Sequence, residues 1–484
     1  MPKFLSLPYV DAASAYAVIG AMRCVAPASI VYSSACLLLG RAIWSKWLAA
    51  YAATEMLFYL LIYLPRKQYL NETTVCPPLL NHVERQALFR RTLPFIFQSH
   101  TATGWFYARD PSAQLQRENV EELLLWALFS TEPHGLREEW KDELSEYVKQ
   151  VEERIGHTLA NGRNEEVRCM KFTQDRIRMS HRPLLYYLIV SVFDLDACIT
   201  MRRLGFNHFR IKDWAMCFPL RIQTILSRPS PCPTVGYWYR SHRSSTKDPV
   251  IFLHGVGVGL FPYLDFIRNL AAADPDVGII VIEDLPISSH ITPSRLRRKE
   301  FIAALTRIMD HHALPRASLI GHSYGTVLAG HALRDTSLSH RISSIVLVDP
   351  VAILLYMPKL TTNFVYRPSA RWMSYFVCRD PDIARTVQRT FFFAESALWK
   401  DDFPANRRVG VVLAGQDHLI ESEEIWRYLT ESEEGVSATN WKKDGMEVLY
   451  YRELGHSGVF ASPVAIAEIV DMVVRMVNPE EKQV

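Results

Sequence analysis

Residues 317–333, ASLIGHSYGTVLAGHAL, decide how the rest of the chain is read. The run 317–320 is short and aliphatic, of strand type, and 324–333 has helical length. Between them, Gly321-His322-Ser323-Tyr324-Gly325 has the form G-x-S-x-G. A serine wedged between a strand and a helix occupies a strained turn, so the residues two before and two after it must lack bulk. Gly321 and Gly325 meet that need, and 326–330 offers small side chains where the helix must approach the sheet. The amino end of the helix also favours negative charge developing nearby. Ser323 is therefore a candidate nucleophile, against the plainer reading of a tight turn that happens to hold a serine.

Outward from this turn, aliphatic runs recur at 249–253 (PVIFL), 277–282 (VGIIVI), 344–348 (SIVLV), 409–413 (VGVVL) and 447–451 (EVLYY). Helix-length segments such as 301–312 lie between most of them. Continuous hydrophobic strands alternating with helices indicate a parallel sheet covered on both faces. In such sheets the chemistry sits at the carboxyl ends of the strands. After 249–253 comes HGVGVG (254–259). Its glycines do not keep the G-x-G-x-x-G spacing, and no Lys-Ser/Thr pair makes a P-loop. The loop is better suited to an oxyanion: the backbone N–H groups of Val256 and Tyr324 would face a carbonyl oxygen, with Gly257 as the fallback donor. His254 reads as a structural residue of that loop. The acid and base are expected after the serine in chain order, each at a later strand end. AGQDH (414–418) puts Asp417 after one run, and LGHSG (454–458) puts His456 shortly after the next. In these roles His456 takes the proton of Ser323, while Asp417 holds the imidazole tautomer and stabilises the imidazolium. Asp349, in VLVDP, also ends a strand and is the alternative acid.

Taken together, HGVGVG, GHSYG, AGQDH and LGHSG make residues 235–478 resemble the α/β-hydrolase superfamily, of lipase/esterase type. The resemblance implies an eight-strand-type sheet, a Ser–Asp–His triad and attack on an acyl carbon through an acyl-enzyme, with no metal or organic cofactor needed. In that family an insertion at the point after the run 344–348 forms a cap over the serine. Here 351–406 is longer than the usual loop of roughly 2–6 residues. It is rich in aromatics, among them Tyr356, Tyr366, Phe391, Phe393 and Trp399. Either they form an apolar pocket for an acyl or alkyl group, or they pack a helical cap onto the sheet. Arg367, Arg379, Arg385 and Arg389 in the same stretch read as surface charge.

The front of the chain is less explicit. A length of 484 residues suggests two or three units at roughly 100–200 residues each. Lys and Arg total 54 against 51 acidic residues, a formal charge of +3, which gives no overall drive toward nucleic acid. The eight cysteines include no CxxC pair and no short Cys/His spacing, which argues against a zinc site or a disulfide-dense secreted fold. The stretches 24–39 and 47–64 are apolar and approach the ~17–20 residues a spanning helix needs. Pro27 weakens the first, and Glu55 inside the second would be costly in lipid. A helical membrane hairpin or interfacial anchor competes with a buried soluble helix pair. Arg41, Lys46, Arg66 and Lys67 do not settle an orientation. With only Lys3 ahead of Leu5 and with Asp11 interrupting the apolar region, no cleavable signal is expected. Asn71-Glu72-Thr73 matches a glycosylation acceptor, meaningful only if the site faces a lumen. Farther on, Trp140, Leu144, Val148, Val151 and Ile155 recur at helical steps among charges. Residues 184–193 read as a third membrane-contacting segment or, more simply, as a buried helix or strand.

The expectation is an α/β protein: an α/β-hydrolase fold with a mostly parallel sheet and a helical cap, preceded by a mainly helical front that is membrane-associated or soluble. The units are 1–68 (apolar helices), 69–234 (helical accessory region, shaping or covering a site made elsewhere) and 235–478 (catalytic, with the cap at 351–406). The expected activity is that of a serine hydrolase cleaving an ester-like bond of a hydrophobic small molecule or lipid. Acyl transfer, thioester cleavage or secondary-metabolite tailoring by the same residues is the alternative, and a non-catalytic binding protein keeping the fold is another. A membrane is an expected partner and nucleic acid is not; the location is an intracellular membrane or, failing that, the cytoplasm.

Overall fold

The computed structural model describes the whole chain except residues 1–11, 74–75, 98–102, 294–295, 369–370, 405–406, 434, 437–438 and 479–484. Lys3 and Asp11 thus lie outside the described residues. Each aliphatic run of the second half forms a strand. A two-strand ladder, β1 (Phe106–Tyr107) with β2 (Arg168–Cys169), lies in the front half. The ten others are β3 (Asn207–Arg210), β4 (Arg228–Pro229), β5 (Gly236–Arg240), β6 (Val250–Leu253), β7 (Ile279–Glu283), β8 (Ala317–His322), β9 (Ile342–Val348), β10 (Arg408–Ala414), β11 (Asn440–Lys443) and β12 (Met446–Tyr451). They form one sheet in the order β11-β12-β10-β9-β8-β6-β7-β5-β3-β4. From β12 to β7 all neighbours run parallel. The ten strands exceed the eight-strand type because β3 and β4 join from upstream of residue 235.

The central strands β6, β7, β8, β9 and β10 are predominantly apolar and buried because both faces are covered. Val250 and Phe252 enter one core and Ile251 and Leu253 the other, as the two-residue period requires. Helices Leu264–Ala273 and Pro463–Val477 cover the first face. Arg298–His311, Tyr324–Leu333 and Ser422–Thr430 cover the second. Each buried Val, Ile or Leu in these layers contributes roughly 1.5–3 kcal/mol. From β6 the chain passes to β7 on one side and then to β8 on the other. The carboxyl ends of β6 and β8 therefore sit side by side where the winding reverses, the crevice in which open α/β sheets bind ligands.

The front half is helical and is wrapped into the same molecule. Helix Ala12–Leu39 pairs with a second helix running Lys46–Leu70. That second helix continues past Pro65, where the sequence suggested an end. A π-helical turn at Phe58–Tyr63 precedes the proline, and Pro65 sits in the first turn of the α-segment Leu64–Leu70, where its missing N–H costs little. Glu55 is fully buried: it accepts the backbone N–H of Leu184 (2.8 Å) and the Tyr51 hydroxyl (3.3 Å), so its partners are inside the fold. The amide of Asn71 donates to the Lys67 carbonyl (2.8 Å) and accepts from Ile177 N–H (3.0 Å), so the glycosylation pattern falls on a side chain already engaged. Residues 184–193 open the helix Leu184–Arg203, which buries one face and exposes the other. By length and composition, three helices among the described residues are apolar enough to cross a membrane: Ser14–Leu39, Lys46–Leu70 and Leu184–Arg203.

Candidate active site

Ser323 stands at the end of β8 with φ 50° and ψ −119°, a backbone conformation that costs energy for any residue with a side chain. The two flanking glycines make the turn possible. A Cβ on Gly325 would lie 2.1 Å from the Leu253 carbonyl oxygen, and one on Gly321 would lie 2.7 Å from that of Gly325. The serine side chain is thereby held out of the sheet at the amino end of helix Tyr324–Leu333.

Three side chains from three strand ends meet there. The Ser323 hydroxyl lies 2.9 Å from His456 Nε2, and His456 Nδ1 lies 2.6 Å from Asp417 Oδ2. The other Asp417 oxygen accepts the N–H groups of Leu419 (2.7 Å) and Ile420 (3.1 Å). Burial would push the Asp417 carboxyl up, but His456 and these two N–H donors hold it below the usual carboxylate range. Burial also pulls the His456 imidazole down, and the adjoining Asp417 carboxylate more than reverses this, so its affinity for a proton is raised. The arrangement can move a proton from the hydroxyl to the imidazole while the carboxylate stabilises the resulting charge.

Asp349, the alternative acid, does something else. It is fully buried at the end of β9, and its oxygens accept the N–H groups of Ala414 (3.2 Å) and Ser457 (2.7 Å). Asp349 thus ties the end of β10 to the loop that carries His456. Donor atoms of Asp349, Asp417 and His456 all lie within 4.8 Å of one another, as metal ligands could. Both carboxylates, however, already receive backbone N–H groups, and both ring nitrogens of His456 are engaged. These residues fit proton transfer better than a cation.

The N–H groups of Val256 and Tyr324 meet no hydrogen-bond acceptor among the described residues. Gly257 is a correction to the sequence reading: its N–H already donates to the Ile287 carbonyl (2.9 Å), which leaves it no part as a fallback donor. His254 accepts the Asp284 N–H at Nε2 (3.1 Å) and lies 2.8 Å from the Gly255 carbonyl through Nδ1, so its ring braces the loop. Residues not singled out in the sequence also appear. His322, inside the G-x-S-x-G motif, is buried between the Tyr263 hydroxyl (2.8 Å) and the Ser457 hydroxyl (3.2 Å). Asp284, at the end of β7, is buried without a hydrogen-bond partner for its carboxyl among the described residues, and burial pushes it up to about 7. Its place at a strand end was the one available signal. Nothing in the sequence marked Tyr263.

The cap aromatics mostly pack. Phe393 is boxed by Trp105, Trp126 and Phe172 of the front half at ring distances of 5.2–5.7 Å, and Tyr356 stacks on Trp399 at 4.8 Å. Phe391, in contrast, faces Tyr324 beside the serine at 6.2 Å. Phe391 also lines a small cleft together with Trp126, Phe392 and Leu80. Arg385 and Arg389 are buried, not on the surface as the sequence suggested. They donate to front-half carbonyls, Arg385 to Leu70 (2.6 Å) and Arg389 to Phe172 (3.0 Å) and Asp175 (2.7 Å).

Residues 250–469 match the model of the alpha/beta hydrolase family. No curated protein matches the chain. Among solved structures, the chain is similar to a membrane phospholipase A described as a bacterial virulence factor, at 11% identity and a TM-score of 0.39, over 61% of this chain and 94% of that one. It is similar to the naproxen esterase of Bacillus subtilis at 11% identity and a TM-score of 0.39, over 59% of this chain and 97% of the other. A carboxylesterase of Bacillus subtilis, CesB, aligns at 13% identity and a TM-score of 0.37, over 59% and 98%.

Proposed function

We propose that this protein, whose C-terminal half belongs to the α/β-hydrolase superfamily, is a serine hydrolase that cleaves an ester-like bond of an apolar substrate through an acyl-enzyme. The observation that carries the reading is the unbroken chain Ser323–His456–Asp417, with links of 2.9 and 2.6 Å. In this mechanism the Ser323 oxygen attacks the acyl carbon as its proton passes to His456 Nε2. The negative charge then arising on the carbonyl oxygen is met by the N–H groups of Val256 and Tyr324, each such donor worth on the order of 3 kcal/mol in the transition state. The imidazolium, stabilised by Asp417, returns its proton to the leaving alcohol. Water, deprotonated by the same imidazole, releases the acid and regenerates the serine. No metal or organic cofactor enters these steps. The ring of Phe391 beside Tyr324, and the apolar cleft it borders, favour a hydrophobic acyl or alkyl group.

The helix pair Ser14–Leu39 and Lys46–Leu70 is the proposed membrane anchor, with Trp44 exposed in its connecting turn and Trp47 exposed at the start of its second helix. A fluorophosphonate probe tests the central claim: the full-length protein is labelled on Ser323, and labelling vanishes in Ser323→Ala. A folded wild-type protein that never reacts would instead favour a binding protein that keeps the fold. A panel of nitrophenyl esters of increasing chain length then reads out the acyl preference. Carbonate extraction tests the anchor, since release of the full-length chain from membranes contradicts it.

A further inference from the structure

The three apolar helices are not equivalent. Ser14–Leu39 and Lys46–Leu70 are each 17% buried over their most apolar window, whereas Leu184–Arg203 is 39% buried. The buried share of the third helix is polar as well as apolar. Asp194 is hydrogen-bonded to His290 Nε2 (2.8 Å) and lies 3.5 Å from Arg221 Nε. Cys198 and Met201 enter the core on one face of the sheet, beside Trp238 and Phe252. The chain then goes straight into β3 at Asn207. A helix joined along its length to a sheet and a buried ion cluster cannot cross a bilayer, because the sheet and the charges would have to enter the hydrocarbon with it.

Its other face is bare. Leu185, Leu188, Ile189, Val192, Leu195 and Ile199 recur at helical steps and are 40–61% exposed. Beside them, Ile222 and Leu226 project from the neighbouring segment, Leu226 being 90% exposed. The Arg202 guanidinium bonds the Gln223 carbonyl (3.3 Å) and so ties that segment to the end of the helix. Soluble monomers rarely expose contiguous apolar patches beyond a few hundred Å².

Two observations say what covers it. The helix that carries the patch packs against the proposed anchor pair, since Phe58 of the second helix meets Tyr187 (5.7 Å) and Phe218 (5.4 Å). Exposed Arg202 and Arg203 at the helix end and Arg228 beyond it outnumber the exposed acids Asp196 and Asp213 along this side, which suits anionic headgroups. We propose that the outer face of helix Leu184–Arg203, with Ile222 and Leu226, is a docking surface that lies in the plane of a lipid bilayer and delivers bilayer-held acyl lipid to the site.

The delivery follows from what the inner face touches. The Tyr186 hydroxyl donates to Ser289 Oγ (2.9 Å), which in turn donates to the carbonyl of Gly257 (2.9 Å) in the loop that carries the Val256 donor. Tyr186 also stacks on Phe376 of the cap at 6.1 Å. The helix therefore reaches the oxyanion loop through Ser289 and touches the cap directly. Docking the outer face on lipid brings both within a helix's thickness of the bilayer, roughly 10–12 Å, and the substrate class is an acyl ester lipid resident in the membrane. This consequence rests on the hydrolase reading of Ser323, whereas the docking itself does not.

The two are tested separately. The full-length protein is reconstituted in phosphatidylcholine vesicles, with and without phosphatidylglycerol, containing a lipid with a photoreactive diazirine either near its headgroup or at its acyl terminus. The shallow probe is expected to label Leu188, Val192 and Leu195, more strongly with phosphatidylglycerol present, and to leave Tyr186, Val190 and Ala197 unlabelled. Labelling by the terminal probe around the whole helix, as in a span, overturns the proposal; so does no labelling of the stripe at all, as for a face covered by protein or water. The double variant Val192→Asp/Leu195→Asp, whose substitutions lie on the surface, then separates substrate delivery from chemistry. Its rate on a vesicle-held long-chain ester is expected to fall roughly tenfold or more, with its rate on a soluble short-chain ester unchanged. Equal rates on the vesicle ester for variant and wild type overturn the delivery. A wild type that hydrolyses neither ester overturns the hydrolase reading, and with it the delivery, while the photolabelling still decides the docking.

Discussion

Two buried clusters in this molecule pair a histidine with a carboxylate at nearly the same distance, and of the two histidines, His456 and His290, only the first also faces a hydroxyl. His456 meets Asp417 at 2.6 Å at the carboxyl ends of the strands. His290 meets Asp194 at 2.8 Å, in a network that continues through Arg221 to Glu283 and His208. The distinction lies on the second ring nitrogen. His456 Nε2 faces the hydroxyl of Ser323, a group that can surrender a proton. His290 Nδ1 faces the backbone carbonyl of Ser288 (2.6 Å), which can only accept one. With one nitrogen committed to a carbonyl and the other to a carboxylate, His290 cross-links the third apolar helix to the loop after β7. A histidine–carboxylate pair is thus evidence of catalysis only when the remaining nitrogen has something to exchange.

The strongest way to break this comparison is to remove the exchanging partner. Ser323→Ala is expected to lower kcat by on the order of 10⁶-fold with folding intact, measured by ester hydrolysis beside a thermal melt. Asp417→Asn is expected to cost on the order of 10⁴-fold, because the imidazole loses both its tautomer and its counter-charge. This variant has a pH signature. His456 must be neutral to take the proton, so kcat/KM rises with pH toward a plateau above the histidine pKa. The Asp417 carboxylate raises that pKa above the ordinary ~6.5. In Asp417→Asn the residual activity should therefore reach its plateau at lower pH. A limb that stayed in place would mean that the titrating group is not His456.

The other cluster should respond in the opposite sense. Arg221 makes a bidentate pair with Glu283 at 2.6 Å for each bond, and both side chains are buried. Removing one partner of such a pair strands a buried charge at roughly 3–5 kcal/mol. Arg221→Met is expected to lower Tm by roughly 10 °C, with kcat at low temperature within a few-fold of wild type. A large loss of kcat without a change in Tm would erase the distinction between the two clusters.

The same comparison explains what the sequence could and could not convey. Around Ser323 the chemistry dictates residue type at fixed spacing: glycines two before and two after the serine, an acid and a base at later strand ends. Gly325 illustrates it, since any side chain there would meet the Leu253 carbonyl. The sheet was equally legible, because strands covered on both faces must be apolar without interruption. The second cluster left no such trace. Asp194, Arg221, Glu283 and His290 are spread over nearly a hundred positions, and none is required at any particular spacing from the others. Glu55 looked like an argument against a membrane helix only because its partner, the N–H of Leu184, lies 129 residues away. Arg385 and Arg389 were read as surface charge for the same reason: their acceptors are backbone carbonyls of the front half, and a carbonyl has no letter in the sequence. Helix Leu184–Arg203 was ambiguous because apolar composition says that a face will be covered and not by what.

At Asp349 the consequence of substitution is milder. It sits at a strand end, as a catalytic acid would, yet its oxygens accept the N–H groups of Ala414 and Ser457, and its closest histidine is His322 at 3.7 Å. By holding Ser457 it positions His456, the preceding residue, and its charge adds to that of Asp417 in raising the His456 pKa. Asp349→Asn keeps one carbonyl oxygen for one of the two N–H groups and presents an NH₂ to the other. The loop should loosen without collapsing, and the expected result is a fall in kcat of about tenfold, the worth of one displaced hydrogen bond at about 1.4 kcal/mol. KM should hold steady, because no substrate contact is altered, and the limb of the pH profile should shift slightly downward. Were Asp349→Asn to abolish activity while Asp417→Asn spared it, the roles of the two carboxylates would be reversed. The hydrogen bond between Asp417 and His456 would then be another cross-link of the kind His290 makes.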